Sequence, residues 1–517
     1  MSYYVTTAID YVNGRPHLGH AYEKIAADMI ARHQRLLLGA DDVFYLTGTD
    51  EHGAKIEKVA REAGVSPAAW CDEKAGQFKE AWALLGIVPD RFIRTTDADH
   101  EAMVQRIFSR LLQQGDITKA RYEGWYCRSC EEFKLERDMA EDRCCPVHGA
   151  PTEWQSEENY VFLVSRYKDR VRAWLESDSR PLEPEGRCRE TLNLLEGFPD
   201  VSVSRQSLRW GVPVAEDPDH VVYVWIDALS NYLSGIGYMT DEKSFSRWWP
   251  ADLHLVGKDI TKFHAIIWPA LLLALDLPLP RKVYAHGWVL VGQEKMSKTT
   301  GIVVDPVDMA REYGADALRY YLLREIVFGK DGEFTQEAFE NRVNSDLANN
   351  FGNALHRMLT FAERHFAMRI ERPSELGDEI RVLAEAAGRA REAHREAMER
   401  LALHEALAAV WSLLDEINLF IDRMAPWALA KAGDLALLQQ VLWGVFESLR
   451  VAAIMASPAI PGLAGKLWEQ LGPGDSLVDA RWVDTVFDGR VGRVFELVRT
   501  GPVYPRIGAA AAKGAKA

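Results

Sequence analysis

The feature that most restricts the fold is the order of the first elements: an apolar β-branched run, a polar break, a helical pattern, then the same again. Residues 3–9 (YYVTTAI) have the β-branched and aromatic character of a buried strand. Asn13-Gly14-Arg15-Pro16 breaks that run, and apolar spacing predicts a helix over 18–38. A second strand over 43–46 ends at Gly48-Thr49-Asp50-Glu51-His52-Gly53, with another helix beyond it. Strand, polar loop and helix in repetition predict an α/β fold. The sheet is parallel and doubly wound, and its ligands sit outside the C-terminal ends of the strands.

The rhythm is lost over 118–222, a cysteine-rich stretch that reads as an insertion, and returns at 222–225 (VYVW), continuing to about residue 323. Beyond about residue 335 the pattern is almost purely helical. Leu347, Phe351, Leu355, Met358 and Phe361 keep helical spacing, and similar stripes run through 380–425 and 435–456. A chain of 517 residues exceeds what one core supports. The expected division is 1–117 and 223–335 as two halves of one α/β domain, with 118–222 inserted between them. An antiparallel helix bundle then spans 336–485, and 486–517 is a C-terminal segment ending in an Ala/Lys/Gly tail.

At 48% hydrophobic and 26% charged residues the composition is that of a soluble globular protein. No run approaches the ~18 uninterrupted apolar residues that span a bilayer. The N-terminus lacks the basic-then-apolar layout of a signal peptide, so a cytoplasmic location without membrane attachment is expected. Six cysteines are too few for a disulfide framework in so long a chain. The formal charge of -15 excludes a passive nucleic-acid coat but not an enzyme acting on nucleic acid, because phosphate contacts depend on local Lys and Arg placement.

Pro16-His17-Leu18-Gly19-His20 lies between the first strand and its helix. Imidazoles three apart can both face a ligand over a helix N-terminus, where backbone N–H groups already favour anions. Gly19 removes a side chain where a flat base must approach the backbone. Alone, the string also fits an exposed helix start with two solvated histidines. Far downstream, Lys295-Met296-Ser297-Lys298-Thr299 sits between Gly292 and Gly301. Its two lysines suit the charge that builds on a triphosphate as pyrophosphate departs. No Walker-A string occurs; Gly257-Lys258-Asp259 lacks the rest of it.

Together and in this order, HLGH and KMSKT resemble the HIGH and KMSKS signatures of class I aminoacyl-tRNA synthetases. Leu18 and Thr299 are the two departures, and neither removes a charge or the hydroxyl. The resemblance narrows to the methionyl-tRNA synthetase family through TTAIDYVNGRPHLGH (6–20), LTGTDEHG (46–53), VYVWIDALSNYL (222–233), LVGKDITKFHAIIWP (255–269), HGWVLV (286–291) and KMSKT (295–299). It implies that ATP, with Mg²⁺, and L-methionine form methionyl-adenylate, whose methionyl group passes to elongator and initiator methionine tRNA. It implies His17, His20, Lys295 and Lys298 as catalytic groups, with Gly19, Gly257, Asp259 and His286 also at the nucleotide.

Trp225, Ala228, Leu229 and Tyr232 fall on one helical face that can line a pocket, a stripe that by itself is more often core than ligand site. The resemblance implies that Ile9, Tyr11, Trp225, Ala228, Tyr232, Ile260 and His264 enclose the methionine side chain and that Asp50 pairs with its ammonium. Ala8, Asp10 and Leu229 depart from the pattern of relatives.

Cys127-x-x-Cys130 followed by Cys145-Pro-Val-His148 suits a closed tetrahedral Zn²⁺ site of structural type. Cys144 is an alternative donor; the Cys-Pro-x-His ending of family knuckles implies Cys145. In the bundle, Asn353 and Arg357 lie beside the apolar stripe and Pro426-Trp427 looks like a helix start. Such residues also fit a solvated face and a core tryptophan. The resemblance implies that Asn353, Arg357 and Trp427 read the anticodon, by hydrogen bonding and stacking on unpaired bases. The segment 501–507 (GPVYPRI) is similar to the one that closes this family's core, and a monomer is expected. Two rivals are a different adenylate-forming enzyme of the same superfamily and a catalytically silent tRNA-binding or zinc-binding scaffold.

Overall fold

The computed structural model describes residues 2–127, 132–134, 139, 142–145, 149–291, 294–295, 304–488 and 493–508. Among these, seven strands form the central sheet: β1 (Tyr3–Thr7), β2 (Asp10–Tyr11), β3 (Val43–Asp50), β4 (Arg91–Arg94), β5 (Leu182–Glu183), β6 (Leu253–Gly257) and β7 (Val283–His286). Their order is β2-β3-β1-β6-β7-β5, with β4 also on β3, and every pairing is parallel. From β1 the chain winds outward to β3 and β4, then returns to the other side of β1 with β6 and β7. The reversal leaves a crevice at the C-terminal ends of β1 and β6.

Alternation along the strands divides the sheet's two faces. Val5 and Leu255 join helix α1 (Leu18–Leu38) in one core, while Tyr4 and Val256 join α2 (Val224–Ser234) in the other. The first core runs on without interruption into the helical part of the chain.

The structure corrects three boundaries. The strand expected over 3–9 stops at Thr7 and resumes as β2, because Ala8 turns its carbonyl to the Lys24 ammonium at 3.0 Å. The second strand continues through Gly48 to Asp50. Gly48 is what allows this, since a Cβ there would lie 1.9 Å from the Ile93 carbonyl of β4. At 222–225 the strand is confined to Val221–Val222, and Val224 already opens α2. The segment 118–222 is also not wholly an insertion. It carries an antiparallel sheet of Ile117–Cys127, Glu132–Lys134, Glu153–Phe162 and Val201–Ser202, but returns β5 to pair the otherwise open edge of β7.

Helix α3 (Ala315–Glu325) leads into the bundle of α4 (Asn353–Phe366), α5 (Asp378–Glu399), α6 (Leu403–Met424), α7 (Pro426–Ala432), α8 (Leu435–Ala456) and α9 (Pro461–Leu471). The expected stripe is buried at Leu347, Phe351, Leu355 and Met358, with Phe361 half-buried. Helix α8 is long and apolar enough to cross a membrane, yet 83% of its apolar window is buried inside the protein as the bundle's core helix. Arg319 of α3 fastens the two parts. Its buried guanidinium meets Asp28 of α1 at 2.7 Å and the carbonyls of Pro458 and Ala459 at 3.0 and 2.7 Å. The C-terminal segment packs back: Val494–Glu496 pairs antiparallel with Arg369–Glu371, and the Tyr504 hydroxyl donates to the Tyr313 carbonyl at 2.8 Å.

Candidate active site

The first turn of α1 is capped by imidazoles rather than by a hydroxyl or carboxylate. The Gly19 N–H donates to His17 Nδ1 at 3.1 Å and the His17 N–H donates to His20 Nδ1 at 3.3 Å. A nitrogen that accepts carries no proton, so each ring has its N–H on Nε2. The rings stack with centroids 3.6 Å apart, and both line the same cavity. Any Cβ at Gly19 would lie 3.1 Å from the His17 ring, so the glycine leaves room for this stack. The outcome is two oriented donors added to a helix N-terminus, an arrangement suited to phosphate oxygens.

Both histidines line a cavity of about 460 Å³ at the crevice between β1 and β6. The same cavity is lined by Gly19, Gly257, Asp259 and His286, and by Ile9, Tyr11, Asp50, Trp225, Ala228, Tyr232, Ile260 and His264. The structure thus brings together every expected adenylate-site residue whose side chain it describes. Lys298 and the Lys295 side chain lie outside the described residues. The backbone at Lys295 pairs with Leu290, next to Val289 on the cavity wall.

The apolar end of the cavity is held in an uncharged state. Burial pushes the His264 imidazole down to about 4. Its Nδ1–H donates to the Ile260 carbonyl at 3.1 Å, and Nε2 accepts from the Tyr232 hydroxyl at 2.7 Å. A π-helical turn at Phe263–Ile267 sets His264 into the wall and lets Phe263 stack on Trp225 at 3.4 Å. A neutral lining of aromatic rings suits an unbranched, polarizable thioether.

Sequence reasoning missed the charged floor of the cavity. Lys24 is buried between Asp10 Oδ1 at 2.6 Å and Glu23 Oε1 at 3.0 Å, and Glu23 Oε2 meets His286 Nε2 at 2.8 Å. Burial raises the Asp10 carboxyl and Lys24 only partly offsets it, leaving it at about 7. Burial also acts on Glu23, but Lys24 and His286 outweigh it and hold that carboxyl below its usual range. The available signal was spacing: Glu23 and Lys24 follow His20 at i+3 and i+4, on the face of α1 that carries the histidines.

Of the metal set, Cys127 and Cys145 are fully buried and Cys144 is half-buried, while Cys130 and His148 lie outside the described residues. In the bundle, Asn353 opens α4 as an exposed residue, and Arg357 one turn later reaches Asp422 of α6 at 2.8 Å. Trp427 follows Pro426 in the first turn of α7 and is 49% exposed, which a core tryptophan would not be.

Residues 3–359 match the family described as tRNA synthetases class I (M), and residues 382–500 match the anticodon-binding domain of tRNA ligase. The methionine–tRNA ligase of Thermotoga maritima is 43% identical over 475 residues, 91% of this chain and 75% of that one. That of Caldanaerobacter subterraneus subsp. tengcongensis is 44% identical over 509 residues, 98% of this chain and 79% of that one. Mycobacterium tuberculosis methionyl-tRNA synthetase bound by methionyl-adenylate superposes with a TM-score of 0.91 at 40% identity, covering 98% of this chain and 100% of that chain. With the same fold and this degree of identity along nearly its whole length, the chain belongs to the methionyl-tRNA synthetase family.

Proposed function

We propose that this chain is an ATP-dependent methionine–tRNA ligase whose cavity at the β1–β6 crevice forms methionyl-adenylate. The observation that carries the reading is the meeting, in one cavity, of two Nε2–H donors at a helix N-terminus and an uncharged aromatic pocket. A methionine carboxylate oxygen attacks the α-phosphorus of ATP, and the bond to pyrophosphate breaks. His17 and His20 donate to the oxygens on which charge grows. Lys295 and Lys298 neutralise the departing pyrophosphate, and Mg²⁺ bound with ATP would add to that neutralisation. Asp50 takes the substrate ammonium, and Ile9, Tyr11, Trp225, Ala228, Tyr232, Ile260 and His264 surround the thioether. Gly257, Asp259 and His286 border the nucleotide; a Cβ at Gly257 would lie 2.8 Å from Asp259 Oδ1 and displace it. In the second step a hydroxyl of the tRNA 3′-terminal ribose attacks the adenylate carbonyl, and AMP leaves. Catalysis needs no covalent nucleophile: alignment can supply roughly 7–11 kcal/mol of the barrier reduction.

The proposed division of labour follows the expected borders, with β5 added to the sheet: 1–117 and 223–335 catalyse, 118–222 carries the knuckle, and 336–485 reads the anticodon of elongator and initiator methionine tRNA. The segment 486–517 closes the fold of a cytoplasmic monomer. Cys127, Cys130, Cys145 and His148 hold a structural Zn²⁺. The burial of Cys127 and Cys145, against the half-exposure of Cys144, supports that donor choice, and soft thiolates with an imidazole suit Zn²⁺. Such an ion cross-links the insertion.

Methionine-dependent ATP–pyrophosphate exchange tests the reading. Exchange with methionine well above that with leucine or isoleucine is expected. Discrimination rests on an apolar pocket worth only about 1–3 kcal/mol per methylene, so norleucine is rejected imperfectly. Preference for leucine or isoleucine overturns the substrate assignment.

A further inference from the structure

Behind the cavity wall lies a second polar cluster, which the reaction scheme does not use. Asp227 of α2 is fully buried and accepts from two imidazoles: His52 Nδ1 at 2.7 Å on Oδ2, and His100 Nε2 at 2.8 Å on Oδ1. His52 follows Asp50 by two residues at the end of β3, and His100 lies in the helix Ala98–Gln114. The second nitrogen of His100 meets Ser234 Oγ at 2.7 Å, so α2 is held at both ends, at Asp227 and at Ser234. The two rings and the carboxylate thus tie together a strand end, a pocket helix and a neighbouring helix separated widely in sequence.

We propose that the chain His52–Asp227–His100 is a positioning device, holding the loop that carries Asp50 in register with the helix that carries Trp225, Ala228 and Tyr232. The inference rests on the reading of Asp50 as the ammonium partner and of α2 as the methionine-pocket helix. Its logic is that a bound amino acid must be met by its ammonium ligand and its side-chain pocket at one fixed separation. Here that separation spans two elements joined by a carboxylate with both oxygens engaged. An ionised carboxylate only accepts, so both rings present N–H to it. Buried groups paired in this way have one arrangement available.

The groups facing His52 are Asp227 from α2, Glu101 at 3.6 Å from the helix Ala98–Gln114, Asp50 on its own loop and the Trp210 ring. Burial pushes the His52 imidazole down, but Asp227, Glu101 and Asp50 outweigh it and bring it up to about 10. Burial pushes Asp227 up, and His52 and His100 outweigh that, taking it down to about 2. The pair stays ionised across the neutral range. Without the carboxylate, only Glu101 and Asp50 oppose burial, and the His52 titration moves down towards that range.

The test is steady-state ATP–pyrophosphate exchange by Asp227→Asn between pH 6.5 and 8.5. The methionine KM should rise about tenfold, as loss of a partner behind a binding group typically does, with the ATP KM within about twofold. It should also become pH-dependent, higher at pH 8.5 than at 6.5, where the parent enzyme is flat. His100→Leu should raise the methionine KM in the same selective way, and His100→Gln, which keeps an N–H for Asp227, should restore it. Parallel rises in both KM values, an unchanged methionine KM, or no rescue by His100→Gln would overturn the proposal. Should Asp227→Asn not fold, the His100 pair decides alone. Asp50→Asn is measured alongside. If it leaves the methionine KM unchanged, the ammonium assignment fails. If it raises that KM while the Asp227 and His100 variants do not, only the positioning proposal fails.

Discussion

The two ends of the molecule proposed to meet substrates are built in opposite ways. At the β1–β6 crevice, charge is buried and paired: Lys24 between Asp10 and Glu23, Asp227 between His52 and His100. At the far end of the bundle the polar groups face solvent. Asn353 is exposed, Arg357 pairs with the largely exposed Asp422, and half the surface of Trp427 is open. The difference matches the tasks. A transition state needs fixed dipoles in a water-poor site, whereas unpaired bases need stacking platforms they can reach. The buried charge pairs of the chemistry end should therefore be brittle in folding and its ligand-facing donors in catalysis, and the bundle end tolerant in folding.

The strongest test of that contrast is Lys24→Met. It leaves Asp10 and Glu23 buried without their cation and should cost about 3–5 kcal/mol of stability by denaturant unfolding. His20→Ala should fold normally and lose about 10²–10³ in exchange rate, with tRNA charging falling in parallel. Trp427→Ala should lower charging by the worth of one stacked base, about 1–3 kcal/mol in kcat/KM, with exchange untouched. Equal loss in both assays would mean that the bundle end is not separate from the chemistry.

Acid sensitivity sharpens the comparison. His264 in the pocket and His33 at the α1–bundle contact are each kept uncharged by burial, which pushes them down to about 4. The unfolded chain binds those protons near 6.5, so stability falls as pH drops from about 6.5 towards 4. His52 has the opposite sign: its folded value of about 10 lies above the unfolded one, so its contribution is full below pH 6.5 and fades as pH rises through 10. His33→Gln should flatten the acid slope of the denaturant midpoint and leave the alkaline slope alone. The smallest effect is expected for Arg357→Ala on folding. Its partly exposed ion pair should change stability by less than about 1 kcal/mol, while charging declines and exchange does not.

The sheet and its ligand crevice were legible because β-branched runs and glycine-rich breaks alternate over 3–53, and HLGH falls at the first of those breaks. Strand ends were less so. Nothing local signals that the Lys24 ammonium takes the Ala8 carbonyl out of the ladder, nor that β5, a pair of residues within the apparent insertion, closes the sheet edge. The Trp225 stripe was ambiguous between core and pocket, and the structure puts Trp225, Ala228 and Tyr232 on the cavity wall. Of the buried clusters, Glu23 and Lys24 carried no signal beyond their spacing from His20, and His52, His100 and Asp227 are brought together only by the fold. Trp427 resembled a core residue because its exposure is set by where α7 ends up, not by local pattern.

The most direct test of the central claim is a crystal structure with a non-hydrolysable methionyl-adenylate analogue. The phosphate mimic is expected within hydrogen-bond distance of Nε2 of both His17 and His20, the thioether against Trp225 and Tyr232, and the ammonium at Asp50. An analogue bound with its phosphate mimic away from both imidazoles, or outside this cavity, would contradict the account.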